Sequence, residues 1–539
     1  MKKRVLAILL FCALLICLLA GCNSSNAPGP GADSNSNNPS GSSSPAGSSS
    51  PAGSSPGSAS PNGGNEAAGS APAKIIVSFC TWSGPPPDLK KIQDALNAIS
   101  VPAIGVEAEL LVLDFGSYSQ QMNLMMSGNE QLDVIITLGG NLYLTGVQNK
   151  QYMDLEENGL LQTYGQGIID AVGMDFINAC RVGGVLYGLP NNRDMAVGKG
   201  CFAFRTDILE SVGYQFQNSG EIEKGTMATV NELFAKIHEN YPNIEVYRPV
   251  TGALGQNANV DYLGGNVYGV LMDSGSTLNV VDFFETDFYK NYCNQVYAWN
   301  QAGYISPDAE IDTTAVGDLV KAGVLAAYNT GGKPGIKAQE GNLCGYEMTI
   351  IQTGVDFMSS SAVAGFPWVI PINTADPVAS MKWLDLIYTN ADMMNTICWG
   401  LEGVHYVEGP DGLLTFPAGV DASTSGYNHA MNWMFPNQYL LKVWTGDDPN
   451  LWTNMRAFNN NSGKSKALGF AFDSANVATE MTSVINVYEQ YQKSLEFGIM
   501  DPAEGIPQMV SAMKSAGLDR IIAEKQAQLN EWAAVNGVS

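Results

Sequence analysis

From residue 75 onward the apolar positions of the chain switch repeatedly between two spacings. Residues 75–79, Ile-Ile-Val-Ser-Phe, are a short apolar run of the kind that forms a buried strand, and a Pro-rich turn at 85–87 ends it. Leu89, Ile92, Leu96 and Ile99 then recur three and four apart, which places them on one face of a helix. A second strand is predicted over 106–113, followed by a helix from Ser117 that carries Tyr118, Met122, Met125 and Met126 at helical spacing. A third strand, 133–138, runs into Gly139, Gly140 and Asn141. Strands alternating with helices predict a largely parallel sheet covered on both faces. Open sheets of this kind bind ligands at the carboxyl ends of their strands. The turns carrying Trp82-Ser83 and Gly140-Asn141 are therefore the first candidate contacts.

The same alternation resumes downstream. Thr229 with Glu232 three residues on predicts a capping box opening a helix with Val230, Leu233, Phe234 and Ile237. A strand over 324–328 ends in Asn329-Thr330-Gly331-Gly332, and 370–377 leads into a helix holding Met381, Leu384, Ile387 and Tyr388. Near the end, Val477, Met481, Val484, Ile485 and Tyr488 share one helical face that Gly498 terminates, and a last helix carries Leu518, Ile521, Ile522, Leu529 and Trp532.

Upstream the picture changes. Lys2, Lys3 and Arg4 precede the apolar run 5–19, the arrangement of a secretory signal and shorter than the roughly 20 residues of a spanning helix. Leu19-Ala20-Gly21-Cys22 resembles the lipobox of bacterial lipoproteins, in which the cysteine is lipidated and becomes the mature N-terminus; residues 1–21 would then be a signal peptide. Residues 22–73 are almost wholly Ser, Pro, Gly, Ala and Asn, have nothing to bury, and read as a flexible tether.

Hydrophobic content of 45% makes the remainder globular, and its length calls for two lobes. A formal net charge of −25 argues against nucleic acid or any other polyanion as partner and suits a neutral or cationic solute. Beyond the signal, Cys80, Cys180, Cys201, Cys293, Cys344 and Cys398 are scattered and read as small buried residues, with one or two pairings open to an exported protein.

Several segments, taken together, resemble family 1 extracellular solute-binding proteins of ATP-binding-cassette importers, the maltose-binding-like group. They include the stretch from Tyr118 to Gly128 with Asp133-Val134, then Tyr152-Met153-Asp154-Leu155, then Val185-Leu186-Tyr187-Gly188-Leu189-Pro190 followed by a strand at 201–204 and Arg205-Thr206-Asp207. Trp399-Gly400-Leu401-Glu402, Trp433-Met434-Phe435-Pro436-Asn437-Gln438, Leu468-Gly469-Phe470 and Gly517-Leu518-Asp519-Arg520-Ile521 look like a lipoprotein subgroup of it. The usual aromatic before the capping-box helix is replaced by Met227-Ala228. The resemblance implies an α/β, two-lobed periplasmic-binding-protein-like fold, each lobe a mainly parallel sheet flanked by helices, with a hinge crossed more than once. Lobe one is expected at 74–190 with part of 365–435, lobe two at 191–364 with part of 436–539. A membrane permease is the implied partner, the protein is expected to be a monomer held at the extracytoplasmic face of the membrane, and no cofactor or metal is expected.

An oligosaccharide needs flat apolar faces for its C–H surfaces and planar polar groups for its hydroxyls. The candidates are Trp82, Ser83, Asn141, Arg193, Asp194, Asn329, Trp368, Trp399 and Glu402, with core packing the alternative for the aromatics and an ion pair at the hinge surface the alternative for Arg193 and Asp194. Trp299, Trp383 and Trp532 lie on helical faces and read as core. Catalytic signatures are absent from the sequence: His238, His405 and His429 have no metal-ligand spacing, and Gly463-Lys464-Ser465 lacks the upstream glycine of a phosphate loop, with Phe458 in its place. Two carboxylates distant in sequence could still converge, so an exported glycoside hydrolase is the rival reading, and a sugar sensor without transport a third.

Overall fold

A computed structural model describes residues 71–539 apart from Ser83, Gly139, Asn218, Ser219, Thr251, Gly252, Gly265, Ser423, Asn428 and Ala430. The predicted signal, Cys22 and all but the last residues of the tether lie outside the described residues. No helix among the described residues is long and apolar enough to cross a membrane.

The first sheet has the order Trp368–Val369, Val134–Ile136, Ala73–Thr81, Val106–Asp114. Burial follows position in the sheet. In the central strand Val77, Ser78, Phe79 and Cys80 are all buried, because both faces are covered. In the edge strand Val106, Ala108, Leu110 and Val112 point inward while Glu107 and Glu109 alternate toward solvent, which fixes the register Ala73↔Val106 through Thr81↔Asp114. Three strands are parallel; Trp368–Val369 joins antiparallel from a distant part of the chain. Asp133 locks this arrangement from the buried end of the third strand. Its Oδ2 accepts from the Ile76 N–H at 2.7 Å, and its Oδ1 accepts from Thr374 Oγ1 and the Ala375 N–H, each at 2.7 Å.

The second sheet is mixed, where a mainly parallel one was expected. Val197–Arg205 runs antiparallel to Met348–Gln352, Asp356–Met358 and Leu325–Gly332, and parallel pairs lie outside this centre. The reason is connectivity: Val197–Arg205 leaves directly from the crossing between lobes, so it runs away from the cleft while its neighbours run toward it. Its alternate residues feed two cores, Phe202 and Phe204 on one face with Trp299 and Phe234, Cys201 and Ala203 on the other with Ile336 and Cys344. A further helical unit buries Tyr268, Phe283 and Phe284 against the helices Ala478–Glu496, Pro502–Ser515 and Leu518–Asn536.

Three chain crossings lie side by side. The Leu189 N–H donates to the Trp368 carbonyl at 2.8 Å and the Leu189 carbonyl accepts from the Trp368 N–H at 2.9 Å; the Asn192 N–H donates to Pro436 O and the Asn192 carbonyl accepts from the Gln438 N–H. Asn459 clamps the bundle: its Oδ1 accepts from the Met195 and Ala196 N–H groups, and its Nδ2 donates to Arg193 O and Tyr439 Oη.

Two local expectations change. The helix over Met227–Asn240 is capped by Thr226, whose Oγ1 accepts from the Thr229 N–H at 3.2 Å while Thr229 Oγ1 receives the Thr226 N–H. Glu232 is free of that role and pairs with Lys236 at 2.7 Å on the surface. All six cysteines past the tether are buried and unpaired, and burial pushes the Cys80 and Cys201 thiols up to about 12.

Candidate functional site

The cleft between the lobes is built on the first crossing. Arg193 and Asp194 follow the strand-end segment at 185–190, and Lys333 follows the carboxyl end of Leu325–Gly332 in the second lobe. Asp194 Oδ2 accepts from Lys333 Nζ at 2.7 Å and its Oδ1 from Arg193 Nη1 at 3.1 Å. Burial raises the Asp194 carboxyl, but the Lys333 ammonium and the Arg193 guanidinium outweigh it and hold the group below the usual carboxylate range. One carboxylate thus ties the crossing to the second lobe.

A cavity of about 300 Å³ opens beside this pair. Its walls include Trp433 and Asn432 from the first lobe, Gln438 from a crossing, and Gln339, Asn342 and Trp452 from the far side. Trp433 packs on Phe366 with ring centroids 4.7 Å apart, and the Arg193 guanidinium lies over Phe366 at 5.5 Å. The Trp452 indole N–H is buried with no acceptor among the described residues, an open donor in the wall. Asp447 also lines the cavity; burial raises its carboxyl, with the Lys333 charge opposing.

A second recess of about 260 Å³ surrounds Trp82 at the carboxyl end of strand Ala73–Thr81. Trp82 is 59% exposed and packs at a tilt against Phe115 with centroids 4.9 Å apart, so a large flat ring is offered to solvent. The recess floor holds His429, whose imidazole is driven down to about 4 by burial and is neutral at ordinary pH. Its Nε2–H donates to the Cys80 carbonyl at 3.1 Å and its Nδ1 accepts from the Met431 N–H at 3.2 Å, which pins the loop to the strand end. His405 does similar work, accepting from the Leu401 N–H and donating to Asp88 at 3.1 Å.

The candidate residues divide accordingly. Arg193 and Asp194 come together on the cleft floor, and Trp82 stands at a strand end. Trp368 is corrected to core: it is fully buried, its Nε1–H donates to Met434 O at 2.9 Å, and its ring faces Phe435. Its strand joins the first sheet, so the ring points into the lobe. Trp399 is also core, ending the helix Ala391–Trp399, edge-on to Trp444 at 5.8 Å and donating to Lys442 O. Asn329 is buried inside its strand, where it donates to Cys201 O and Asn257 Oδ1 and accepts from Tyr247 Oη. Glu402 is exposed on a loop beside Tyr406, away from both recesses. Ser83 and the Asn141 side chain lie outside what is described. Sequence reasoning missed Lys333, Trp433 and Trp452 as contacts, although Trp433 opens one of the segments that carried the resemblance.

Two lobes, a bundle of crossings and a cavity where they meet define the class: the chain has the two-lobed fold of extracellular solute-binding proteins. Over 462 residues it is 25% identical to a carbohydrate ABC transporter substrate-binding protein of Streptococcus pneumoniae, spanning 83% of this chain and 89% of that one. Among solved structures it matches the N-glycan transport solute-binding protein NgtS of the same species with a TM-score of 0.74 at 22% identity, over 85% of this chain and 98% of that one. The TM-score is 0.64 against NgtS in complex with Man1GlcNAc, at 21% identity, over 85% of this chain and 99% of that one. A family 1 extracellular solute-binding protein of Alicyclobacillus acidocaldarius matches with a TM-score of 0.52 at 10% identity, over 84% of this chain and 100% of that one. Residues 466–534 match DUF3502, a domain of unknown function, and coincide with the terminal helical unit.

Proposed function

We propose that this chain is the extracytoplasmic solute-binding subunit of an ABC importer, closing its two lobes over a neutral oligosaccharide and delivering it to a membrane permease. The observation that carries the reading is the interlobe cavity itself. It joins indole rings of Trp433 and Trp452 to the carboxamides of Asn432, Gln438, Gln339 and Asn342, the pairing of flat apolar faces and two-way hydrogen-bonding groups that sugars need. Its Asp194 carboxylate is spent on Lys333 and Arg193. The carbohydrate-transport relatives and the NgtS glycan complex support the ligand class.

We assign the lobes as 74–190 with part of 365–435 and 191–364 with part of 436–539, lipid anchoring to Cys22, and a monomeric state; the Leu-Ala-Gly-Cys sequence supports the anchor. A binding protein rather than an enzyme fits Asp194, whose two oxygens are engaged by cations and which is poorly placed to act as nucleophile or acid.

Thermal-shift titration with mono- and oligosaccharides tests the proposal. An oligosaccharide is expected to raise the melting temperature in proportion to the logarithm of its concentration. Stabilisation by a peptide or polyamine and by no sugar would overturn the ligand class, and release of reducing sugar from any glycoside would overturn the non-catalytic reading.

A further inference from the structure

A recess walled by second-lobe residues shares no lining residue with the cleft cavity. On the helix Asp287–Gln301, Phe288, Asn291, Tyr292, Gln295 and Trp299 fall three and four apart on a single stripe. Such a stripe ordinarily packs into a core as a continuous apolar band. Here it carries two carboxamides and faces a cavity of about 410 Å³, closed on the other side by Asn257, Asn259, Thr353 and Met227, with Phe202 at its base.

Three features give the recess a chemistry. First, its side chains are amides, two hydroxyls, a thioether and aromatic rings, with no formal charge among the residues that line it. A charged ligand would find no counter-charge there, and desolvating it would be costly. Secondly, the amides are held in place. Gln295 Oε1 accepts from Asn231 Nδ2 at 3.1 Å, and Asn231 Oδ1 in turn accepts from the Trp299 indole N–H at 2.7 Å. Asn257 Oδ1 accepts from the buried Asn329, and Asn259 Oδ1 accepts from the Val355 N–H at 3.4 Å. Thirdly, Phe288 and Tyr292 lie nearly parallel, 14° apart. Met227, 37% exposed, stands at the same recess.

From this geometry we infer a second binding site, for one or two uncharged sugar units, in the pocket between the helix Asp287–Gln301 and the Asn257–Asn259 loop. The volume falls in the range of about 300–1,000 Å³ found for small-ligand pockets. The inference rests on the carbohydrate reading of the cleft but adds a property to it. Every wall of this pocket belongs to the second lobe and none is shared with the cleft cavity. A ligand whose contacts all lie in these walls does not distinguish open from closed lobes, and so does not shift that equilibrium. It would hold an additional sugar unit at the importer subunit without triggering closure.

The two sites carry separate reporters, Met227 in the pocket and Met455 in the cleft cavity. With methionine methyls labelled with carbon-13 and assigned through Met227→Leu and Met455→Leu, the protein is titrated with N-acetylglucosamine, mannose and Man5GlcNAc. At least one monosaccharide is expected to shift Met227 saturably. Asn291→Trp, which fills the pocket from an exposed position, should weaken that response about tenfold or more. It should leave the Met455 response to Man5GlcNAc within about twofold. Asn291→Ala should weaken it less, and an otherwise unchanged methyl spectrum shows that both variants fold. A Met455 response with no Met227 response to any probe overturns the second site and leaves the cleft reading intact. A Met227 response that survives Asn291→Trp also overturns it. Silence at both methyls with all three sugars overturns the carbohydrate reading together with it.

Discussion

The cleft cavity and the second-lobe pocket use the same materials and differ in who owns the walls. Both set indole or phenyl rings beside carboxamides. The cleft draws its walls from both lobes and a crossing, and at its floor Asp194 bridges Arg193 to Lys333. The pocket draws every wall from one lobe and has no charged floor. The difference separates binding from switching: only a ligand that touches both lobes has different contacts in the open and closed states, and only such a ligand moves the hinge.

That contrast can be broken most forcefully beneath the cleft. Trp368→Ala removes a fully buried indole and its bond to Met434 O, and a stability loss of about 3–5 kcal/mol is expected in denaturant titration. A variant that stays stable and only loses sugar affinity would return Trp368 to the list of contacts.

Lys333→Ala acts on the bridge itself. It leaves Asp194 with Arg193 alone and should weaken cleft binding by about 1–3 kcal/mol, Lys333 being partly exposed, while sparing the pocket. The pH dependence follows. The folded Asp194 carboxyl lies below its unfolded value, so its contribution is present above the ordinary carboxylate pKa and is lost as the pH falls through the folded value. Without Lys333 the loss should begin at a higher pH, a shift that melting curves in the acid range would detect.

Trp433→Ala should weaken oligosaccharide binding by about 2 kcal/mol, and Trp82→Ala by about 1 kcal/mol, both with little change in stability. Calorimetry set beside melting temperature separates these effects from unfolding. The smallest effect belongs to the terminal helical unit. Burial lifts the Glu496 carboxyl to about 7, with Tyr488 and Gln492 bonded to it in opposition. A carboxyl raised in the folded state stabilises below its unfolded pKa, and that contribution is lost as the pH rises through about 7. Glu496→Gln should flatten this decline, by about 1 kcal/mol at alkaline pH. An unchanged pH profile would place the decline elsewhere.

Periodicity alone reached the first lobe closely. The strands predicted over 75–79, 106–113 and 133–138 are observed at Ala73–Thr81, Val106–Asp114 and Val134–Ile136, because a two-sided parallel sheet demands continuous apolar runs and its edge demands alternation. The second lobe was less legible. Its central strand Val197–Arg205 is paired by residues more than a hundred positions away, and strand direction leaves no trace in local pattern.

For the site, sequence named residue types suited to sugar and could not tell inward from outward. Trp82 and Trp368 both border Pro-containing turns, yet one is open to solvent and the other fully buried, since the second belongs to a strand recruited across the sheet. The chain by itself determined the alternation of strands and helices, the acidic balance and the supply of indoles and amides, all of which depend on composition and near neighbours. Tertiary structure decided which of these groups face a cavity. Lys333, Asp194 and Trp433 are separated by long stretches of chain and meet only because three crossings are laced together at the hinge.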